Sequence, residues 1–173
     1  YDETAMEEKI VSTTKAIESS VGVRPTTHRA GRWAMDDRYF KLLAKHGYRC
    51  DCSVTPLIDW SSCIGSSEGS AGSDYTNYSA EPKRFTFADS SSIVELPLTT
   101  SSSGFVMPDR LTPRLLGREL KRLVNMRPIQ CRPTGTNVGQ MLRVARQCFA
   151  QNDGYLMFMI HSSELMPGGS PSF

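Results

Sequence analysis

"YLMFMIHSSELMPGG", residues 155–169, decides how the rest of the chain is read. Tyr155 to Ile160 is a short apolar run fit for burial, and it opens directly onto His161, Ser162, Ser163 and Glu164. A run of this length bounded by Gly and Pro predicts a buried strand rather than a helix. A strand that is apolar on both sides predicts a parallel sheet with both faces covered. In such sheets the functional groups gather at the carboxyl ends of the strands, where this segment delivers an imidazole. A lone histidine after a strand also serves structure alone, so His161 needs support from elsewhere.

Working outward, residues 3–19 carry Met6, Ile10, Val11 and Ile17 near one stripe, which predicts a helix closed by Gly22. "VGVRPTTHRAG" reads as a short extended piece entering a polar loop that contains His28. "MDDRYFKLLAKHG" predicts a second helix, capped by Asp36 or Asp37, with Tyr39, Phe40, Leu42 and Leu43 inward and Gly47 as its stop. "YRCDCSV" alternates as a strand and ends before Pro56. Residues 61–92 are Ser- and Gly-rich without a period. They predict a long loop, with room for a small hairpin, that serves as a functional lid or is a disordered insertion. "SIVELPLTT" reads as strand and "TPRLLGRELKRLVN" as helix. "RPIQCRPTG" reads as irregular because of its two prolines. "TNVGQMLRVARQCFAQNDG" predicts the last helix. The order α, β, α, β, loop, β, α, α, β predicts an α/β fold with parallel strands.

The 173 residues suffice for a domain with a real core. A net charge of +2 with scattered basic residues argues against a nucleic-acid partner. No apolar run approaches the roughly 20 residues of a membrane span. Cys50, Cys52, Cys63, Cys131 and Cys148 form an odd set without close pairing. This predicts reduced thiols and a cytoplasmic setting. Cys50 and Cys52 lack metal-ligand spacing, and on a strand they would share one face as structural residues. Because the sequence starts at Tyr1, residues before it are expected.

"GVRPTTHRAGRWAMDDRYFKLLAKHGYRCDCSVTPLIDW" (22–60), together with "MFMIHSSELMPGGSP" (157–171), resembles the polysaccharide deacetylase family, the NodB-type carbohydrate esterases. The closest likeness is to a branch linked to bacterial surface polysaccharide. It extends over essentially the whole chain. "RAGRW", "GY-x-x-D-x-SV-x-P" and "HSSEL" are short elements whose order and spacing together carry it. The resemblance implies a distorted (β/α)7 barrel, here a single partial domain incomplete at both ends. It implies metal-dependent hydrolysis of the amide bond of an N-acetylated sugar, with a divalent metal, zinc first, as cofactor. The family's paired Asp motif and its two-His motif have no match here. The three histidines, His28, His46 and His161, do not assemble a three-ligand metal site. The metal half is therefore expected upstream of this chain, and no metal ligand is assigned within it.

Residue by residue, the resemblance implies that Arg29 holds the catalytic Asp of the intact domain, since a guanidinium forks onto a carboxylate. It implies that Trp33 and Trp60 wall a carbohydrate site. It implies that Asp59, or its rival Asp51, orients the catalytic histidine. His161 matches the general acid that protonates the leaving amine. Ser162 and Glu164 would bind sugar hydroxyls or cap the next segment, and Arg132 would sit at the rim. The bland readings stay beside these: a surface arginine at 29 and a core tryptophan at 33. The rival functions are an inactive carbohydrate-binding relative and an unrelated α/β structural module.

Overall fold

The first helix, α1 (Glu3–Val21), starts where Asp2 accepts the Ala5 backbone N–H at 2.7 Å. It ends at Gly22, whose φ of 75° suits glycine and lets its N–H reach the Glu18 carbonyl at 2.8 Å. The structure is a computed structural model, and it describes residues 2–31, 33–63, 72–102, 128–151, 154–161 and 165–166. It divides into two compact units, residues 1–98 and 99–173.

In the N-terminal unit α1 buries Met6, Ile10 and Thr14. Ile17, expected on the stripe, is 39% exposed. Thr14 takes its place because its hydroxyl has two partners, the Ile10 carbonyl at 2.6 Å and the Tyr48 hydroxyl at 2.9 Å. The second helix, α2 (Asp37–Lys45), is capped by Asp36, which accepts from Tyr39 N at 2.8 Å. It buries Phe40, Leu42 and Leu43. His46 closes α2, and its Nε2 lies 2.6 Å from Glu7 Oε1, tying the two helices together.

Four strands form one sheet in the order β1-β2-β4-β3: β1 (Thr27–His28), β2 (Cys50–Asp51), β3 (Lys83–Thr86) and β4 (Ser92–Glu95). β1, β2 and β4 run parallel. β3 is antiparallel to β4, so the sheet is mixed and not wholly parallel as the alternation predicted. The two form the small hairpin at the end of the Ser/Gly-rich stretch; residues 64–71 of that stretch lie outside the described residues. Phe40, Leu43, Tyr48, Val54, Tyr75 and Ile93 make the core, with Phe85 stacked on Phe40 at 4.8 Å.

In the C-terminal unit β5 (Thr100–Ser102) pairs antiparallel with β6 (Pro128–Gln130). This corrects the irregular reading of 128–130. Pro128 is the first residue of its strand, where a missing N–H is tolerated. The last helix, α3 (Val138–Gln151), follows Asn137, whose carbonyl accepts from Met141 N at 3.0 Å. The helix expected over 112–125 lies outside the described residues.

Residues 155–160 are a second correction. They belong to no strand ladder, and Leu156, Phe158 and Ile160 are 39%, 45% and 37% exposed while Met159 is buried. Met157 exchanges bonds with Thr99, and Met159 N reaches the Cys131 carbonyl at 3.1 Å. The backbone meets partners at separated points, so the segment alternates in burial instead of being covered on both sides. The described residues make a mixed α/β structure with a parallel sheet, and no closed barrel is formed among them. Among them no helix is long and apolar enough to cross a membrane.

Candidate functional site

The parallel register sets three ionisable residues in one row. His28 ends β1, Asp51 ends β2 and Glu95 ends β4, and they are direct neighbours across the sheet. Paired residues on adjacent strands share a face about 4.8 Å apart, so their side chains must interact. The row lies at the carboxyl ends of the parallel strands.

Asp51 is fully buried. Its Oδ1 takes a bond from His28 Nδ1 at 2.6 Å and from the Ser53 hydroxyl at 2.9 Å, and its Oδ2 takes one from Ser53 N at 2.8 Å. Burial works to raise this carboxyl, but the bonds from His28 and Ser53 and the close approach of Glu95 outweigh it, and its pKa is lowered. Asp51 is the anion of the row. An anion can only accept, so His28 Nδ1 carries a proton in this contact. Tyr39 and Tyr48 flank the ring at 5.4 and 6.0 Å.

Glu95 behaves oppositely. Burial, and then the neighbouring Asp51 charge, push its carboxyl up to about 9. It is 2% exposed, and Oε1 accepts from Val54 N at 2.9 Å. Oε2 is buried, and the close approach of the two carboxyls sets both charges. Two carboxyls this close do not both ionise, so the Asp51–Glu95 pair holds one negative charge.

Arg29 follows His28 directly and is exposed. Its Nε donates to the Cys52 carbonyl at 3.0 Å, and its guanidinium lies 5.9 Å from the Trp33 ring centroid. Trp33 stacks on Trp60, centroids 6.4 Å apart and planes within 10°. Trp60 Nε1 donates to Thr55 Oγ1 at 2.6 Å. Trp33 has φ 58°, a costly value for a bulky residue, and the Tyr75 hydroxyl donates to its carbonyl. Arg29, Trp33 and Trp60, the residues the sequence motifs single out, thus form one cationic and aromatic platform.

Asp59 stands apart. It is exposed, its Oδ1 accepts from Ser61 N at 2.8 Å, and the Ser61 hydroxyl first and this backbone bond second lower its carboxyl pKa. Its backbone bridges Asp74. Of the two candidate aspartates, Asp51 is the one that holds an imidazole, and the imidazole is His28. In the C-terminal unit His161 is exposed, with Arg132 Nη2 3.3 Å from its Nδ1. Ser162 and Glu164 lie outside the described residues. Cys50 and Cys52 have free thiols with sulfurs 3.8 Å apart, and burial pushes Cys52 up to about 12, so it stays a thiol. No group of three or more His, Cys, Asp or Glu side chains is placed to hold a metal ion among the described residues.

Two members of the row are not evident from sequence: His28 reads there as a loop residue, and Glu95 carries no assignment. A signal for Glu95 is nevertheless present. It is the lone charge inside "SIVELPL", and a charge in a buried strand is costly unless it is paired or neutral.

Fold and site together define a mixed α/β protein with a His–carboxylate row at the parallel strand ends. No family model matches the chain, and no curated protein is similar to it. Among solved structures it is similar to one named "putative polysaccharide deacetylase" from Mycobacterium smegmatis, at 16% identity and a TM-score of 0.41. The match covers 95% of this chain and 56% of that one, so the chain spans little more than half its length. At that overlap the likeness settles neither topology nor chemistry.

Proposed function

We propose that this chain is part of a polysaccharide-deacetylase-like hydrolase that removes acetyl groups from N-acetylated sugars. The sequence motifs at 22–60 and 157–171 support the family, and one observation supports a hydrolytic site: the buried Asp51 carboxylate on His28 Nδ1 at 2.6 Å. An imidazole held this way has its tautomer and angle fixed and presents Nε2 for proton transfer. In this reading Arg29 positions a carboxylate of the intact site, and Trp33 and Trp60 offer flat faces to a sugar. Water adds to the acetyl carbon and gives up its proton to that carboxylate, and His161 gives a proton to the departing nitrogen as the carbon–nitrogen bond breaks, leaving amine and acetate. The proposal carries a divalent metal, zinc first. The described residues do not fit it, so its ligands would come from elsewhere and no step here passes through it.

The test is acetate release from N-acetylated sugar oligomers by the full-length protein with its metal. His161→Ala should lower turnover by roughly 10²- to 10⁴-fold, the worth of a positioned general acid, with metal content and KM little changed. Unchanged turnover would remove His161 from the chemistry, and loss of metal would make it a ligand instead.

A further inference from the structure

Cys50 and Cys52 stand on either side of Asp51 in sequence and take no part in the row. Alternation along an extended chain puts both thiols on the sheet face opposite the Asp51 side chain. There they have turned toward each other, with their sulfurs 3.8 Å apart. Cys50 is half-buried and Cys52 is buried. The register sets Thr27 and Val94 beside Cys50, the first exposed and the second half-buried, so a small reagent meets Cys50 first. The same short stretch of chain anchors two candidate site residues. The Asp51 carboxylate holds His28, and the Cys52 carbonyl accepts from Arg29 Nε at 3.0 Å.

We propose that Cys50 and Cys52 are a redox-sensitive pair, which a small organic disulfide oxidises to an intrachain disulfide that pulls on the backbone holding His28 and Arg29. Two residues of extended chain span about 6.6 Å between Cα atoms. A disulfide joins Cα atoms usually about 5.5–6 Å apart and at most about 6.8 Å. The bond is within reach, but closing it draws the chain in by roughly 0.5–1 Å at Asp51. The exchange runs in two displacements. Cys50, as thiolate, attacks one sulfur of the reagent, whose S–S bond breaks and releases a small thiol. Cys52 then loses its proton, attacks the Cys50 sulfur and releases the second small thiol. The two cysteines give up two protons and two electrons, and the reagent takes up both. Burial holds both thiols protonated, so closure is slow near neutral pH and should quicken up to about tenfold per pH unit above it. The proposal does not depend on the deacetylase reading.

The experiment uses the reduced 173-residue protein with Cys63→Ser, which removes an exposed thiol. It is equilibrated with oxidised glutathione at pH 8, free thiols are then alkylated, and peptides are mapped by mass. The peptide holding residues 50–52 should be two hydrogens lighter and unalkylated, and dithiothreitol should reverse this. Tryptophan fluorescence should shift with the same time course, because Arg29 lies over the Trp33 ring. The imidazole N–H proton resonance of His28 should move with it. Cys50→Ser and Cys52→Ser should each abolish all three changes. Alkylation of both thiols at equilibrium, or glutathione retained on Cys50, overturns the pair. A disulfide that leaves the fluorescence and the His28 resonance unmoved overturns its hold on the site.

Discussion

Glu95→Gln should make the protein more stable at neutral pH, by an amount that grows with pH. Glu95 ordinarily titrates near 4.5 and is held at about 9 in the folded chain, by burial first and the Asp51 charge second. A carboxyl raised by folding contributes stability below its unfolded pKa, and loses it as pH rises toward the folded value. Above pH 4.5 the unfolded chain gives up a proton that the folded chain keeps. Each tenfold change in proton affinity is worth about 1.4 kcal/mol, so the penalty reaches about 3 kcal/mol at pH 7 and about 6 at pH 9 as upper bounds. Relaxation and water entry around a buried pair reduce such figures, and half of each is a realistic expectation. Glutamine copies the protonated acid: its carbonyl can accept from Val54 N and its amide can donate toward Asp51. The assay is urea unfolding of both proteins from pH 5 to 9, followed by fluorescence. The two tryptophans, Trp33 and Trp60, lie in the unit that holds Glu95. The stability difference should be small near pH 5 and widen steadily toward pH 9. Parallel curves across that range would show that Glu95 is ionised in the folded chain, and the proton placement in the row would fall with it.

Other perturbations probe separate parts. Asp51→Ala leaves His28 Nδ1–H and the Ser53 donors without their acceptor in a buried place, and should cost about 3 kcal/mol by chemical denaturation. Because the Asp51 carboxyl is lowered, wild type should also lose this contribution as pH falls below about 4, a loss the variant should not show. Phe40→Ala removes a fully buried ring stacked on Phe85 and should cost about 3–5 kcal/mol, read in the same unfolding curves. Asp36→Ala removes the α2 cap on Tyr39 N and should cost about 1 kcal/mol.

Sequence determined what is local. Asp2 and Asp36 at helix starts, Gly22 after a helix end and the apolar spacing of Phe40, Leu42 and Leu43 act within a few residues, and their elements stand where the pattern put them. The family resemblance singles out Trp33 and Trp60, and in the structure the two rings stack on each other and pack against the core. Tertiary structure decided the rest. β1 and β2 are two residues long, too short to show a period, so "VGVRPTTHRAG" reads as an extended piece without showing that His28 ends it beside Asp51. The choice between Asp51 and Asp59 depended on which one a neighbouring strand would cover. The parallel register did that for Asp51, and an Asp-Ser turn left Asp59 in water. Residues 155–160 look buried on both sides because they are apolar throughout, yet burial is conferred by partners. Partners distant in sequence, Thr99 and Cys131, meet only some of the segment's backbone groups. A row such as His28, Asp51 and Glu95 exists only once three separate segments lie side by side, and the energies that set its charges arise from that contact alone.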